Sequence, residues 1–175
     1  MESTANPPNR KLAKRNTAIS SLSAHGKYLV SCSADDNLVI VYDHSKREEY
    51  SEIALEKMNP DNGVIEGDLP STAILFKDHG FTNQEFLLIG STKGQIYLYD
   101  LENRLFGTQI NMQANDKKVL PGKLSIKSQQ KIIQIKKLGH HDKISKDSNI
   151  FAALSQSGQL KLFAIRLNRS RAEDQ

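Results

Sequence analysis

Cysteine is almost missing from this chain. Cys32 stands alone, so no internal disulfide can form, which suits a reducing compartment such as the cytosol or the nucleus. A reactive thiol needs an electropositive, partly exposed setting, whereas Cys32 sits in a run of small and apolar residues and reads as a core side chain. Long apolar runs are missing as well. Nothing approaches the about 18 consecutive apolar residues of a spanning helix, and residues 1–15 are polar with two prolines, so neither a membrane span nor a secretory signal is expected.

The residue patterns of catalysis are equally scarce. There is no Gly-x-Ser-x-Gly elbow and no Gly-x-x-x-x-Gly-Lys phosphate cradle, and Cys32 has no histidine assigned to it as a base. His140-His141-Asp142 is the one close grouping of metal-capable side chains. Adjacent residues point different ways, and a zinc site needs three or four converging donors. Asp35-Asp36-Asn37 starts like a calcium loop but lacks the following glycine and the distal glutamate, so it reads as a hairpin turn. No enzyme, no metal, no cofactor and no small-molecule substrate is expected.

What is present is a repeated strand pattern. Residues 19–43, ISSLSAHGKYLVSCSADDNLVIVYD, read as three short strands at 19–23, 28–33 and 38–43, separated by the turns His25-Gly26-Lys27 and Asp35-Asp36-Asn37. Placing Gly94 under Asn37 sets 86–89 (FLLI) under 29–32 and 95–100 (QIYLYD) under 38–43. Placing Gly158 there sets 150–153 (IFAA) and 159–164 (QLKLFA) in the same columns, so one meander occurs three times at spacings of 57 and 64 residues. Inner strands follow at 71–77 and 131–138, and outer fourth strands are expected at 51–55 and 105–112, with none for the third unit.

This unit resembles a WD40 repeat, the blade of a β-propeller. The residues that carry the resemblance are Gly26 and the strand after it, Tyr42-Asp43 in the place of the family's Trp-Asp, Tyr99-Asp100 in the second unit, and Phe163, followed by Ala164, in the third, with Gly94 and Gly158 in the strand turns. The chain has no tryptophan and no clear Gly-His pair opening a blade, and its spacing exceeds the family's ~40–45 residues. The resemblance implies an all-β, WD40-like partial propeller of about three blades, antiparallel meanders stacked radially, that works as a non-catalytic scaffold for protein partners.

Hydropathy supports that architecture independently. A sheet with one wet face alternates strictly, but 38–42 and 86–89 are apolar on both faces, so each sheet must be covered twice. A small β-sandwich is the plainer alternative. Propellers close with about 4 to 8 blades, so three cannot form a ring by themselves. An uncovered face on the order of 500 Å² forgoes about 12 kcal/mol of burial, comparable to a domain's whole stability. Missing sequence, a partner or second copy in trans, or weak strands hidden in the tails and in 117–146 would resolve this.

The domain reading is therefore a disordered basic tail at 1–16, blades at 17–55, 71–112 and 131–167, loop insertions at 56–70 and 113–130, and a disordered tail at 168–175. The loops 56–70, 113–130 and 139–149 depart most from minimal turn length and are the expected partner contacts. Charge offers a second reading. The chain is mildly basic, at a formal +4, and the bias is concentrated in Arg10, Lys11, Lys14 and Arg15 and in nine lysines between 117 and 146 against the single acid Asp142. Lys117, Lys118, Lys123, Lys127, Lys136 and Lys137 could meet nucleic-acid phosphates, as in a basic accessory subunit of a ribonucleoprotein or chromatin complex. No aromatic is interleaved there for base stacking.

Overall fold

The computed structural model describes residues 18–55, 66–77, 84–106, 111–114, 120–121, 123–125, 130–139 and 148–166. Every element among them is a β-strand, in three antiparallel sheets. The first sheet is the simple meander β1 (Ser21–His25), β2 (Tyr28–Ser33), β3 (Leu38–Asp43) and β4 (Glu48–Ile53). The second runs β5 (Pro70–Lys77), β6 (Glu85–Ser91), β7 (Gln95–Asp100). The third has β12 (Ile132–Gly139), β13 (Ser148–Ser155) and β14 (Leu160–Arg166).

The outer strands depart from expectation. The strand expected at 105–112 is divided: β8 (Leu105–Phe106) pairs with the Tyr99-Asp100 end of β7, whereas β9 (Asn111–Ala114) crosses to pair with β14 in the third blade. The segment expected as a loop supplies two further short strands. β10 (Leu120–Pro121) extends the third sheet beyond β9, and β11 (Lys123–Ser125) pairs with Gln95, Ile96 and Tyr97 on β7. The third blade thus acquires its outer strand from sequence that precedes it, and weak strands do lie hidden between the second and third units.

The three sheets stack in chain order with the inner strands β1, β5 and β12 side by side. Both faces of the middle sheet are buried, as its unbroken apolar strands require. Leu87, Ile89, Tyr97 and Tyr99 pack with Val30, Cys32, Val39 and Val41 of the first blade. The intervening side chains Phe86, Leu88, Ile96 and Leu98 pack with Ile132, Phe151 and Phe163 of the third. Side-chain hydroxyls stitch the inner strands together: Ser21 Oγ accepts from the Ala73 amide at 3.1 Å, and Ser71 Oγ donates to the Ile132 carbonyl at 2.6 Å. Gly90 permits this approach, because a β-carbon there would lie 2.8 Å from Cγ2 of both Ile132 and Thr72.

The turns explain why the repeat is visible in sequence. Asn37, Gly94 and Gly158, aligned by their place before the third strand, all have left-handed backbone at φ +52°, +75° and +83°. The preceding strand, however, is one residue out of the expected register. The first blade closes from Ser33 to Leu38 over four residues, whereas the second closes from Ser91 to Gln95 over three. Phe86 therefore stands in the column of Tyr28 rather than Leu29, and Val30, like Leu88, faces the following blade.

Arg47 and Arg104, each four residues after the aspartate that ends the third strand, also adopt left-handed backbone, at φ +62° and +55°. Glycine takes that conformation without the crowding an L-side chain meets. Replacing the exposed Arg47 with glycine is expected to raise stability by about 0.5 kcal/mol, read as a higher urea midpoint at unchanged slope. A lower midpoint would show that the arginine side chain, not the turn geometry, holds this hairpin.

Candidate interaction surfaces

The Tyr-Asp pairs expected as blade signatures divide their work. Asp43 Oδ1 accepts from the Ser45 hydroxyl at 2.6 Å and from the amides of Ser45 and Lys46 at 2.9 and 3.2 Å. Asp100 Oδ1 accepts from the amides of Glu102 and Asn103, both at 3.0 Å, and its Oδ2 from Asn103 Nδ2 at 2.7 Å. Each carboxylate therefore pins the hairpin that leads to the outer strand. The third unit has Ala164 at this place and lacks the carboxylate. Its outer strand comes from β9 instead of a following hairpin.

Asp43 is fully enclosed, with Lys27 Nζ 3.7 Å from Oδ2. Its carboxyl is held below the ordinary range, chiefly by the Ser45 hydroxyl and then by the Lys46 and Ser45 amides, with Lys27 adding to them. Because the folded value is depressed, this stabilisation is fully present above the ordinary carboxylate range and is lost as pH falls through the folded value. Below about pH 4 the native chain should lose stability more steeply than the Asp43→Asn variant, in urea midpoints measured from pH 7 to pH 2. Parallel acid limbs would remove Asp43 from the acid response.

Around it lies a mixed polar cluster where the first two blades meet. Lys27 Nζ also stands 4.9 Å over the Tyr28 ring, whose centroid is 5.0 Å from that of Tyr50. Glu85 reaches across from the second blade, and a β-carbon on Gly26 would lie 3.6 Å from its Oε1. Burial pushes the Glu85 carboxyl upward, against the opposing fields of His25, Lys27 and Lys77. Gly26 itself holds φ +55°, so it is required for the turn.

At the opposite end of the second blade a different aspartate organises the loop before β5. Asp68 accepts from the Tyr97 hydroxyl at 2.8 Å, the Lys93 amide at 2.9 Å and the Thr92 hydroxyl at 3.2 Å. The Leu69 amide donates to Thr92 Oγ1, and Lys93 Nζ to the Glu66 carbonyl. No local spacing links Asp68 to partners 24 to 29 residues away, so sequence reasoning had no signal for this knot.

The aromatic member of each pair faces the preceding side of its blade. Tyr99 is buried against the first blade and Phe163 against the second. Tyr42 holds the same place in the first blade and is half-buried; on the same sheet face Leu22 is 63% exposed, whereas Ile40 is only 8% exposed. The third blade has the converse open face. Leu160 and Leu162 occupy the positions of Ile96 and Leu98, yet are 66% and 49% exposed where those are 0%. All six exposed large apolar side chains among the described residues belong to the two end blades: Ile19, Leu22, Ile133, Leu138, Leu160 and Leu162.

The candidate phosphate contacts are only partly within view. Arg10, Lys11, Lys14, Arg15, Lys117, Lys118 and Lys127 lie outside the described residues, as do His140, His141 and Asp142, and Lys123 sits on β11. Lys136 and Lys137 are not brought to one surface. Lys136 is exposed, in register with Ala152, whereas Lys137 turns toward the second blade, over the Phe76 ring at 5.7 Å and bonded to the Lys77 carbonyl at 3.4 Å. Of the expected contact loops, 66–70, 130, 139 and 148–149 are described and the remainder falls outside, apart from the short strands already given. Cys32 is buried between the first and second blades, and among the described residues no three His, Cys, Asp or Glu side chains converge as a metal site.

No family model matches this sequence, and no curated protein does either. Solved structures match it in shape. Two crystal structures of BBS1N in complex with ARL6DN, soaked with mercury and with lead, each align at a TM-score of 0.54 and 12% identity, covering 90% and 89% of this chain. The chain spans 40% and 38% of the lengths of those structures. BBS1N is a β-propeller, and at this identity the likeness is one of fold alone. The chain is an all-β partial propeller whose described residues form three blades that do not close into a ring.

Proposed function

We propose that this chain is a WD40-like propeller segment serving as a non-catalytic scaffold for protein partners within a multiprotein assembly in the nucleus or cytoplasm. The observation that carries the reading is the pair of apolar end faces, whose side chains sit at positions buried between blades elsewhere in the same molecule. Faces of that kind favour a protein partner, because lost apolar burial is recovered only by another apolar surface. The solved propeller that this fold resembles was crystallised with a protein, ARL6DN, which supports a protein partner as the class to look for. The WD40 assignment rests on the Tyr42-Asp43 and Tyr99-Asp100 pairs and on their shared hairpin role.

Cross-linking mass spectrometry on the tagged chain purified from its own cells tests the scaffold. Cross-links that run from the end blades and their turns to a small recurrent set of proteins are expected. Recovery with nucleic acid alone, abolished by nuclease, would overturn it in favour of the phosphate-binding reading. That reading draws on the third blade, whose described residues include five cations and no acid. Strand alternation weakens it, since Lys136 and Lys137 face opposite ways.

A further inference from the structure

Outer sheet edges in this molecule are filled by strands that arrive from elsewhere in the chain. β9 adds to β14 from sequence that precedes the third blade, and β11 adds to β7 from sequence that follows the second. β4 differs. It is the last strand of the first sheet, and among the described residues no strand pairs with its outer side. The six residues Glu48–Ile53 therefore hold their outward main-chain donors and acceptors at the rim of the blade, ready for a strand that can lie beside them.

Edges of this kind are commonly blunted by charge, and the sign of the charge decides which strand is turned away. β4 carries Glu48, Glu49 and Glu52, all exposed, and no cation. The register shift between Val41 and Tyr42 leaves Tyr50 without an opposite residue, so Glu49 and Glu52 lie beside Tyr42 and Ile40 on one face of the sheet. Lys46 Nζ stands 3.9 Å from Glu48, but neither Glu49 nor Glu52 has an ion-pair partner among the described residues. A second β4 laid along the first would crowd glutamate against glutamate, which opposes self-pairing. A strand with lysine or arginine at two alternate positions meets both carboxylates, and opposite charges across a strand pair are favourable.

We propose that the outer edge of β4 docks a basic, extended segment of a protein partner, which joins the first sheet as a fifth strand through main-chain hydrogen bonds and is selected by Glu49 and Glu52. Docking there rests on the scaffold reading and gives one partner contact its place and its chemistry. The edge belongs to the rim of a single blade, so it is available however many blades stand beside it.

The probe is a synthetic hexapeptide alternating lysine and valine, with a glutamate-and-valine counterpart as control, each titrated into the full chain. By amide hydrogen exchange, the lysine peptide should slow the outward amides of Glu48–Ile53 at least about 10-fold and leave β2 and β13 unchanged, and the control should do neither. Glu49→Lys combined with Glu52→Lys, at two exposed positions, should keep the circular dichroism and melt of the wild type, weaken the lysine peptide at least about 10-fold and admit the control. Binding indifferent to the double variant, or protection that falls outside β4, would overturn the docking edge. So would protection of β4 in the free chain that disappears when Arg10→Glu, Lys11→Glu, Lys14→Glu and Arg15→Glu are combined, since the occupant would then be the chain's own basic segment. A wild-type chain that leaves the peptide unbound at about 1 mM, yet gives the expected protein cross-links, would end the docking edge and spare the scaffold.

Discussion

Phe151→Ala is expected to cost about 3 to 5 kcal/mol, a large part of the stability of a domain this size. Phe151 is fully enclosed, with its ring 4.9 Å from Phe76 at 69° and 5.6 Å from Phe163 at 21°. Phe76 in turn stacks on Phe86 at 5.7 Å. Phe76 and Phe86 belong to the second blade, Phe151 and Phe163 to the third, so the substitution empties the seam between two blades rather than the interior of one. The walls of the resulting cavity are sheets tied by their own hydrogen bonds, and they collapse onto it only in part. Because stacked repeats hold one another mainly through neighbour contacts, the loss should fall on the third blade first. Urea unfolding followed separately by tyrosine fluorescence and by far-ultraviolet circular dichroism checks this: described tyrosines occur only in the first two blades. Transitions that separate in the variant are expected, and a loss below about 1 kcal/mol would show that the blades do not share this core.

Much of this architecture was legible in the sequence because turns and burial leave local marks. A left-handed position before the third strand favours Asn or Gly, and Asn37, Gly94 and Gly158 marked it three times. Unbroken apolar strands marked a sheet covered on both sides, and Phe86 through Ile89 indeed divide alternately between two cores. What failed had no local mark. Turn length sets strand register, and a slip of one residue moves every side chain to the other face. The extra residue between Ser33 and Leu38 did this to the first blade. The crossing of β9 to β14 is a long-range pairing, and only the missing carboxylate at Ala164 hinted that the third blade would not form its own hairpin.

The same distinction governs Asp68, whose partners are remote in sequence and whose removal should be costly. The residue is 1% exposed, and its two oxygens gather the Tyr97 hydroxyl, the Lys93 amide and the Thr92 hydroxyl. These groups anchor the loop before β5 to the turn between β6 and β7, so one carboxylate fixes where the middle blade begins. Asp68→Ala leaves those donors facing a site that has lost its acceptors, and a loss of about 2 to 4 kcal/mol follows. Tyr97→Phe removes a single hydroxyl and should cost about 1 to 2 kcal/mol, since the ring keeps its place against the first blade. Once Asp68 is gone, the hydroxyl has no carboxylate to reward. The double variant should therefore fall short of the summed single losses by about 1 kcal/mol in a double-mutant cycle read from urea midpoints. Strict additivity would mean that the 2.8 Å contact between Tyr97 and Asp68 contributes nothing, and that Asp68 holds the loop through Lys93 and Thr92 instead.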